Sequence, residues 1–548
     1  MSRRLGAATG LVLVLAAFAG PALAQGSPPQ RRFFEHRVPL AGPRLPEREI
    51  PSLPLDVRAQ VERGRAQAEA GRLDAAKDTL NRALARAPHH PEVLIEMASV
   101  LQARGAWRQL EQLARSERSA ARDSLLLGED LTLACQRLGK PREAAQTALE
   151  AWVASPIYGM WARTKLDSLV TADPKGVREV TQRVAASFPM RTDLVRGAAA
   201  VTWSSGDAPG AMRLLKSADE TYKGAPLRWS FAEELLATGA ARDSSGAIEV
   251  LIDLSGDRGR DLPYRLVAAR RAWEIYERRA AAREGAPRIA RALQDIPVGK
   301  WGSPLAIEVI RGLREAGATE DARRLLQALG EQKAGLPEIA VEHALNDLRD
   351  GPPERALEPL KGLAGSSSTA TFHYAEALFF AGQPDSALAW YERASKDASG
   401  PFTGAALERI YTIEEARPKE ALPAFGRLAY EQWRNDTRRA MGMADSLYRT
   451  LPRASLWAQS AITLAALREK SGDGKGALEP LLALAEGLPN DRLAPLARQR
   501  AGDVYRNAYH DDAKALAQYE ECLARYPKAW NAPEVRRRVE ALKRDRRF

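Results

Sequence analysis

The sequence predicts an all-α protein, a solenoid of about a dozen stacked helix pairs. Three observations predict it. First, one spacing returns seven times: Gly71, Ala76, Leu80 and Ala83 lie five, four and three residues apart. It recurs at Gly139-Ala144-Ala148-Ala151, Gly206-Ala211-Leu215-Ala218, Gly317-Ala322-Leu326-Leu329, Gly351-Ala356-Leu360-Leu363, Gly382-Ala387-Tyr391-Ala394 and Gly472-Ala477-Leu481-Leu484. Second, Gly71, Gly105 and Gly139 are 34 residues apart, as are Gly317 and Gly351. A fixed period in this range marks an array of stacked helix pairs. Third, apolar residues fall at helical spacing, and no β-branched run alternates with period two.

Each position in the pattern has a mechanical reason. The glycine ends one helix without the steric cost of a left-handed backbone. Five residues later the second helix presents a small side chain where it crosses the first. The positions four and seven beyond it share that face. Pro88, Pro156 and Pro489 close three of the copies, because proline cannot continue a helix. The run Gly64-x6-Gly71-x4-Ala76-x3-Leu80-x2-Ala83-x4-Pro88 resembles the tetratricopeptide repeat family. Most copies lack the early tryptophan and the first-helix tyrosine of that family. The resemblance implies a right-handed superhelical solenoid whose first helices line a concave, peptide-binding face.

In chain order, residues 1–24 read as a secretory signal. Arg3 and Arg4 form its basic start, Leu11 to Phe18 its apolar stretch, and Ala22-Leu23-Ala24 its cleavage site, cut after Ala24. A membrane anchor is the alternative, but the apolar stretch is short for a bilayer span. The mature protein is expected in the periplasm or secreted, with no transmembrane segment. Residues 25–56 hold seven prolines and read as an extended tether. Helix pairs then start near Val57, Pro91, Leu125, Tyr158, Thr192 and Ala225. The register slips over 255–302, with one long helix expected from Leu262 to Arg283 and a short one from Pro287 to Leu293. It resumes near Ser303, Pro337 and Ser368. Three helices without a clear glycine turn span Pro401 to Leu451. Pairs follow near Ala458 and Pro495, and a basic helix, Pro533 to Lys543, closes the chain. The expected division is an N-terminal solenoid over 57–300 and a C-terminal one over 301–548.

Charge and cysteine content narrow the function. The formal net charge is +11, and losing the signal leaves +9. The segment from Arg536 to Phe548 supplies +5 of that. A local basic tail, rather than a general nucleic-acid binder, is therefore expected. Cys135 and Cys522 fall at small core positions far apart in the array, so no disulfide is expected.

No catalytic constellation emerges. There is no His-Glu-x-x-His, no Cys-x-x-Cys and no Gly-x-Ser-x-Gly. Gly472-Asp473-Gly474-Lys475-Gly476 lacks the hydroxyl residue of a phosphate loop and reads as a repeat turn. Adjacent His89 and His90 lack a third ligand. No catalytic residue, metal or cofactor is expected. A cell-wall lytic enzyme with a helical-repeat superhelix is a third possibility. It requires a globular C-terminal domain, whereas here repeats run on through Ala515, Tyr519, Cys522 and Pro527.

The resemblance carries the concave face onto particular residues. Arg196 and Trp203 are expected to point inward from one repeat, with Trp229 and Glu233 from the next. Tryptophans flanked by an arginine and a glutamate have the composition of a binding hot spot. Inter-helix core is the other possible place for either tryptophan. Phe372, Glu376 and Phe379 form a second group, with core again the alternative because Phe380 adjoins them. Arg311 and Arg314 are expected to add positive charge. The function expected is a non-enzymatic scaffold for proteins or peptides of the cell envelope. The alternative is a scaffold subunit of an exopolysaccharide or cell-wall assembly machine, with polysaccharide as partner.

Overall fold

The computed structural model describes residues 52–222, 224–332, 337–365 and 367–545. The expected signal, the tether up to residue 51 and the tail from residue 546 lie outside them. Among the described residues there are 28 α-helices and no strand. None of these helices is long and apolar enough to cross a membrane.

The chain divides into two compact units. The N-terminal unit runs to Arg278 and includes Arg291–Leu293; the C-terminal unit comprises Arg279–Ala290 and the residues from Gln294 onward. In the N-terminal unit six pairs follow one another: α1 (Leu55–Glu69) and α2 (Leu73–Arg86), α3 (Pro91–Ala103) and α4 (Trp107–Ala121), α5 (Gly128–Arg137) and α6 (Pro141–Ala154). Then come α7 (Gly159–Val170) and α8 (Pro174–Ser187), α9 (Thr192–Ser204) and α10 (Ala208–Thr221), α11 (Leu227–Ala237) and α12 (Ala241–Gly256), and finally α13 (Leu262–Arg278).

The repeated spacing has the structural meaning its chemistry suggests. Gly71, Gly139, Gly206, Gly317, Gly382 and Gly472 have φ between +72° and +91°, so they end first helices in the left-handed region. Gly351 is the exception: it is outside that region, and Pro352 and Pro353 make the break instead. All seven alanines five residues on are fully buried, and so are all seven residues four beyond them, Leu80 to Leu481. Ala218 and Leu363, at the last position, remain partly exposed.

One buried charge cluster locks the later N-terminal repeats. Arg228 in α11 is completely buried and donates to Asp219 and Asp253, each at 2.7 Å, and to Asp257. A buried guanidinium is tolerated because three carboxylates satisfy it. The long helix expected to Arg283 ends at Arg278 instead, where the chain turns through Ala280 at φ +53°. Alanine carries no side chain that signals such a turn. α14 (Ala282–Ala292) follows, with Pro287 inside it.

The C-terminal unit continues with α15 (Ser303–Ala316) and α16 (Thr319–Gln332), α17 (Pro337–Asp350) and α18 (Glu354–Leu363), α19 (Ser368–Phe380) and α20 (Pro384–Ser395). The three helices expected over 401–451 are α21 (Thr403–Glu414), α22 (Leu422–Trp433) and α23 (Thr437–Thr450). The unit closes with α24 (Ser455–Lys470), α25 (Leu478–Gly487), α26 (Ala494–Asn507), α27 (Asp512–Arg525) and the basic helix α28 (Ala532–Asp545). Val535, Val539 and Leu542 of α28 pack on Ala515, Tyr519 and Cys522, and Arg538 pairs with Asp503 at 2.9 Å.

The irregular stretch matters because α22 packs onto α19. A side-chain carbon at Gly426 would lie 2.1 Å from the Phe379 carbonyl oxygen, so only glycine allows this approach. Tyr430 donates to the carbonyls of Leu348, at 2.9 Å, and Gly351. Packed against α18, α20 and α22 together, α19 has every residue from Ala370 to Phe380 buried.

Candidate interaction surface

Charge pairs link first helices at the start of the N-terminal unit and again across α7, α9, α11 and α13. Arg65 of α1 bonds Glu96 of α3 at 2.9 Å. Arg196 of α9 donates from Nη1 to Glu234 Oε1 of α11 at 2.8 Å, and Arg163 of α7 donates from Nη1 to Glu234 Oε2 at 2.9 Å. Arg271 of α13 forks onto Glu233 through Nε at 2.9 Å and Nη2 at 3.1 Å. These hydrogen bonds hold the Arg271 guanidinium above its ordinary value.

The Arg163–Glu234 contact defines the face. The two residues are 71 apart in sequence, two repeats away. On a straight stack two helix-to-helix steps separate the axes by about 16–20 Å. One guanidinium and one carboxylate close that distance when the helices converge on their side, so α7, α9, α11 and α13 turn an inner face toward Glu234. Apolar groups stand on the same helices: Met160 of α7 is 83% exposed and Val267 of α13 is 51% exposed, with Trp229 of α11 half-buried.

The sequence-derived residues distribute as follows. Arg196 and Glu233 belong to these charge pairs, Arg196 with Glu234 and Glu233 with Arg271. Trp229 sits one turn before Glu233 on α11. Trp203 does a different job: its half-buried ring packs edge-to-face on Phe231 at 5.9 Å and covers Gly246 of α12, where a side-chain carbon would come within 2.1 Å of the indole. Its place is between helices.

In the C-terminal unit Phe372, Glu376 and Phe379 are all buried in α19. Phe372 stacks on Phe402 with centroids 4.7 Å apart. Glu376 accepts from Arg409 at 2.7 Å and 3.2 Å and from Tyr391, while the Arg409 guanidinium lies over the Phe379 ring at 4.8 Å. These three residues therefore form core with a buried ion pair, and none of them lines an open surface. The cause is the packing of α20 and α21, which bring Tyr391, Phe402 and Arg409 onto these three side chains, while α22 covers Phe380 on the same helix. Arg311 and Arg314 both clamp Glu342, at 2.5 Å and 2.6 Å, so their charge is partly neutralised. Burial pushes the Glu342 carboxyl up, but Arg314 and Arg311 outweigh it and hold the group below its ordinary value. Nearby His373 is pulled down to about 4 by burial.

Arg163, Glu234 and Arg271 were not singled out by sequence. The usable signal was opposite charges about one and two repeats apart, at separations of 38 and 71 residues. Among the described residues one set of metal-capable groups comes together: Glu111, Cys135 and Glu143 place donor atoms within 4.8 Å of one another. Lys140 binds both Glu111 oxygens, at 2.8 and 2.9 Å, and Arg115 reaches Glu143, so the carboxylates are engaged by cations. Cys135 and Cys522 are both buried free thiols.

Residues 57–100 match the family model of the tetratricopeptide repeat. No curated protein matches the chain. Among solved structures it is similar to Naa15/Naa10 bound to HypK-THB, with 15% identity over 84% of this chain and 68% of that one, at a TM-score of 0.27. It is also similar to the APC/C hetero-tetramer Cut9–Hcn1, with 14% identity over 88% and 96% of the two chains, at a TM-score of 0.23. Yeast Tom70 is similar at 13% identity over 85% and 99%, with a TM-score of 0.21.

Proposed function

The chain is a tetratricopeptide-repeat protein, and on that premise we propose that it is an exported, non-enzymatic scaffold that binds protein partners along the inner face of its N-terminal unit. Repeats of this family support a protein–protein interaction role. The signal-like residues 1–24 support export to the periplasm or beyond the cell. The recognition residues are Arg196, Trp229 and Glu233, with Arg163, Glu234 and Arg271 as their ion-pair partners.

One observation carries the choice of face: Glu234 gathers guanidiniums from two earlier repeats. An inner face is where a ligand meets several repeats at once, and half-buried aromatic and arginine side chains there have hot-spot composition. The test is affinity capture from cell-envelope extract with the wild type and an Arg196→Ala/Trp229→Ala variant. Partners recovered by the wild type and lost from a folded variant support the reading. An unchanged set of partners sinks it.

A further inference from the structure

We propose a second, independent binding site in the C-terminal unit: a pocket for a neutral saccharide beside Tyr411. The pocket measures about 380 Å³ and lies among the end of α21, the start of α24 and the loop that enters α26. That size is at the lower end for small-ligand pockets.

Its chemistry selects the ligand by elimination. The polar groups that face it come from three separate elements: Glu415 after α21, Gln459 of α24, and Asn490, Asp491 and Arg492 of the loop. Thr412 and Ser455 also line it, but their hydroxyls are spent on the carbonyls of Glu408 and Glu415, at 2.8 Å and 2.7 Å. Among the described residues no hydrogen bond engages the side chains of Glu415 and Asn490. Gln459 offers its amide oxygen, since its nitrogen makes only a 3.5 Å bond to Thr412. Asp491 uses Oδ1 on the Leu493 amide at 2.8 Å and leaves Oδ2. Donors and acceptors are thus both available and point in from different sides, as the hydroxyls of a sugar ring require.

Two carboxylates against one guanidinium disfavour a phosphate or other anion. Only Tyr411 and Leu493 bring apolar surface, too little for an acyl chain. Tyr411 is 53% exposed, so part of its ring is open to the C–H face of a pyranose. The Arg492 guanidinium already lies over that ring at 5.4 Å. The excess carboxylate makes a cationic peptide the competing ligand, and a tri-lysine peptide is its probe.

The experiment is saturation-transfer NMR and calorimetric titration of the full chain with maltotriose, cellotriose and chitotriose. At least one is expected to bind saturably at millimolar concentration, with transfer strongest to its ring C–H protons. Tyr411→Ala is expected to weaken that binding about tenfold, and Asn490→Ala to weaken it as well. Both residues are exposed, so both variants are expected to keep the wild-type circular dichroism. No saturable binding to any of the three sugars, or binding unchanged in folded Tyr411→Ala, overturns the proposal. So does a tri-lysine peptide that binds where the sugars do not. The pocket shares no residue with the N-terminal face, so either site can fail without the other.

Discussion

Arg163 and Glu234 meet at 2.9 Å although they are 71 residues apart, with the whole α9–α10 repeat between theirs. The same carboxylate holds Arg196 at 2.8 Å, so three first helices share one charge. Both Glu234 and its partners are about 30% exposed. Glu234→Ala is expected to cost no more than about 1 kcal/mol of stability, because half-exposed ion pairs are screened. It is expected to change partner binding more than folding. Urea denaturation checks the first part, and a loss much above that figure contradicts it.

Arg228 poses the opposite case. Its guanidinium is fully buried among Asp219, Asp253 and Asp257. Arg228→Ala leaves Asp219 buried without a counter-charge, which is expected to cost about 3–5 kcal/mol. The denaturant midpoint of the N-terminal unit is expected to fall accordingly. A variant as stable as the wild type contradicts the structural role assigned to this cluster.

Gly426 lets α22 seal α19. Gly426→Ala forces a carbon toward the Phe379 carbonyl, and a backbone atom cannot swing aside as a side chain does. The expected cost is about 1–3 kcal/mol, with faster proteolytic cleavage in α22. Protection equal to the wild type shows that the approach is not required.

His373 gives the C-terminal unit a pH dependence of known sign. Burial first, and the Arg314 and Arg311 charges after it, lower its value from 6.5 to about 4, against the opposing pull of Glu342 and Glu376. Between those values the unfolded chain takes up a proton that the folded chain refuses. Stability from this group is therefore complete above pH 6.5 and falls as pH drops toward 4, by on the order of 3 kcal/mol. Thermal melts across that window are expected to fall less steeply for His373→Asn than for the wild type. Parallel curves contradict it.

Much of the fold was legible because one physical constraint repeats. A tight turn demands glycine and a helix crossing demands a small residue, so Gly71 and Ala76 announce themselves, and so do their counterparts. The starts at Pro91, Thr192, Ser303, Pro337 and Ser368 are those of the helices. The turn at Ala280 was not legible, because alanine there breaks no helical pattern. The surface was less legible for a different reason. Periodicity says which residues share a face, but not what covers that face. Phe372 and Phe379 share one with Glu376, and Tyr391, Phe402 and Arg409 bury it from the helices that follow. Trp203 and Trp229 look alike in sequence, yet the bare backbone at Gly246 draws only Trp203 between helices. The Arg163–Glu234 contact depends on curvature, which local sequence does not encode.

The central claim is that recognition occurs on the inner face made by α7, α9, α11 and α13. The most direct measurement places a photo-crosslinking amino acid at position 229, on that face, or at position 213, exposed on second helix α10, and irradiates living cells. A discrete protein adduct is expected from position 229 and none from position 213. Adducts from 213 alone, or the same adducts from both, contradict the claim.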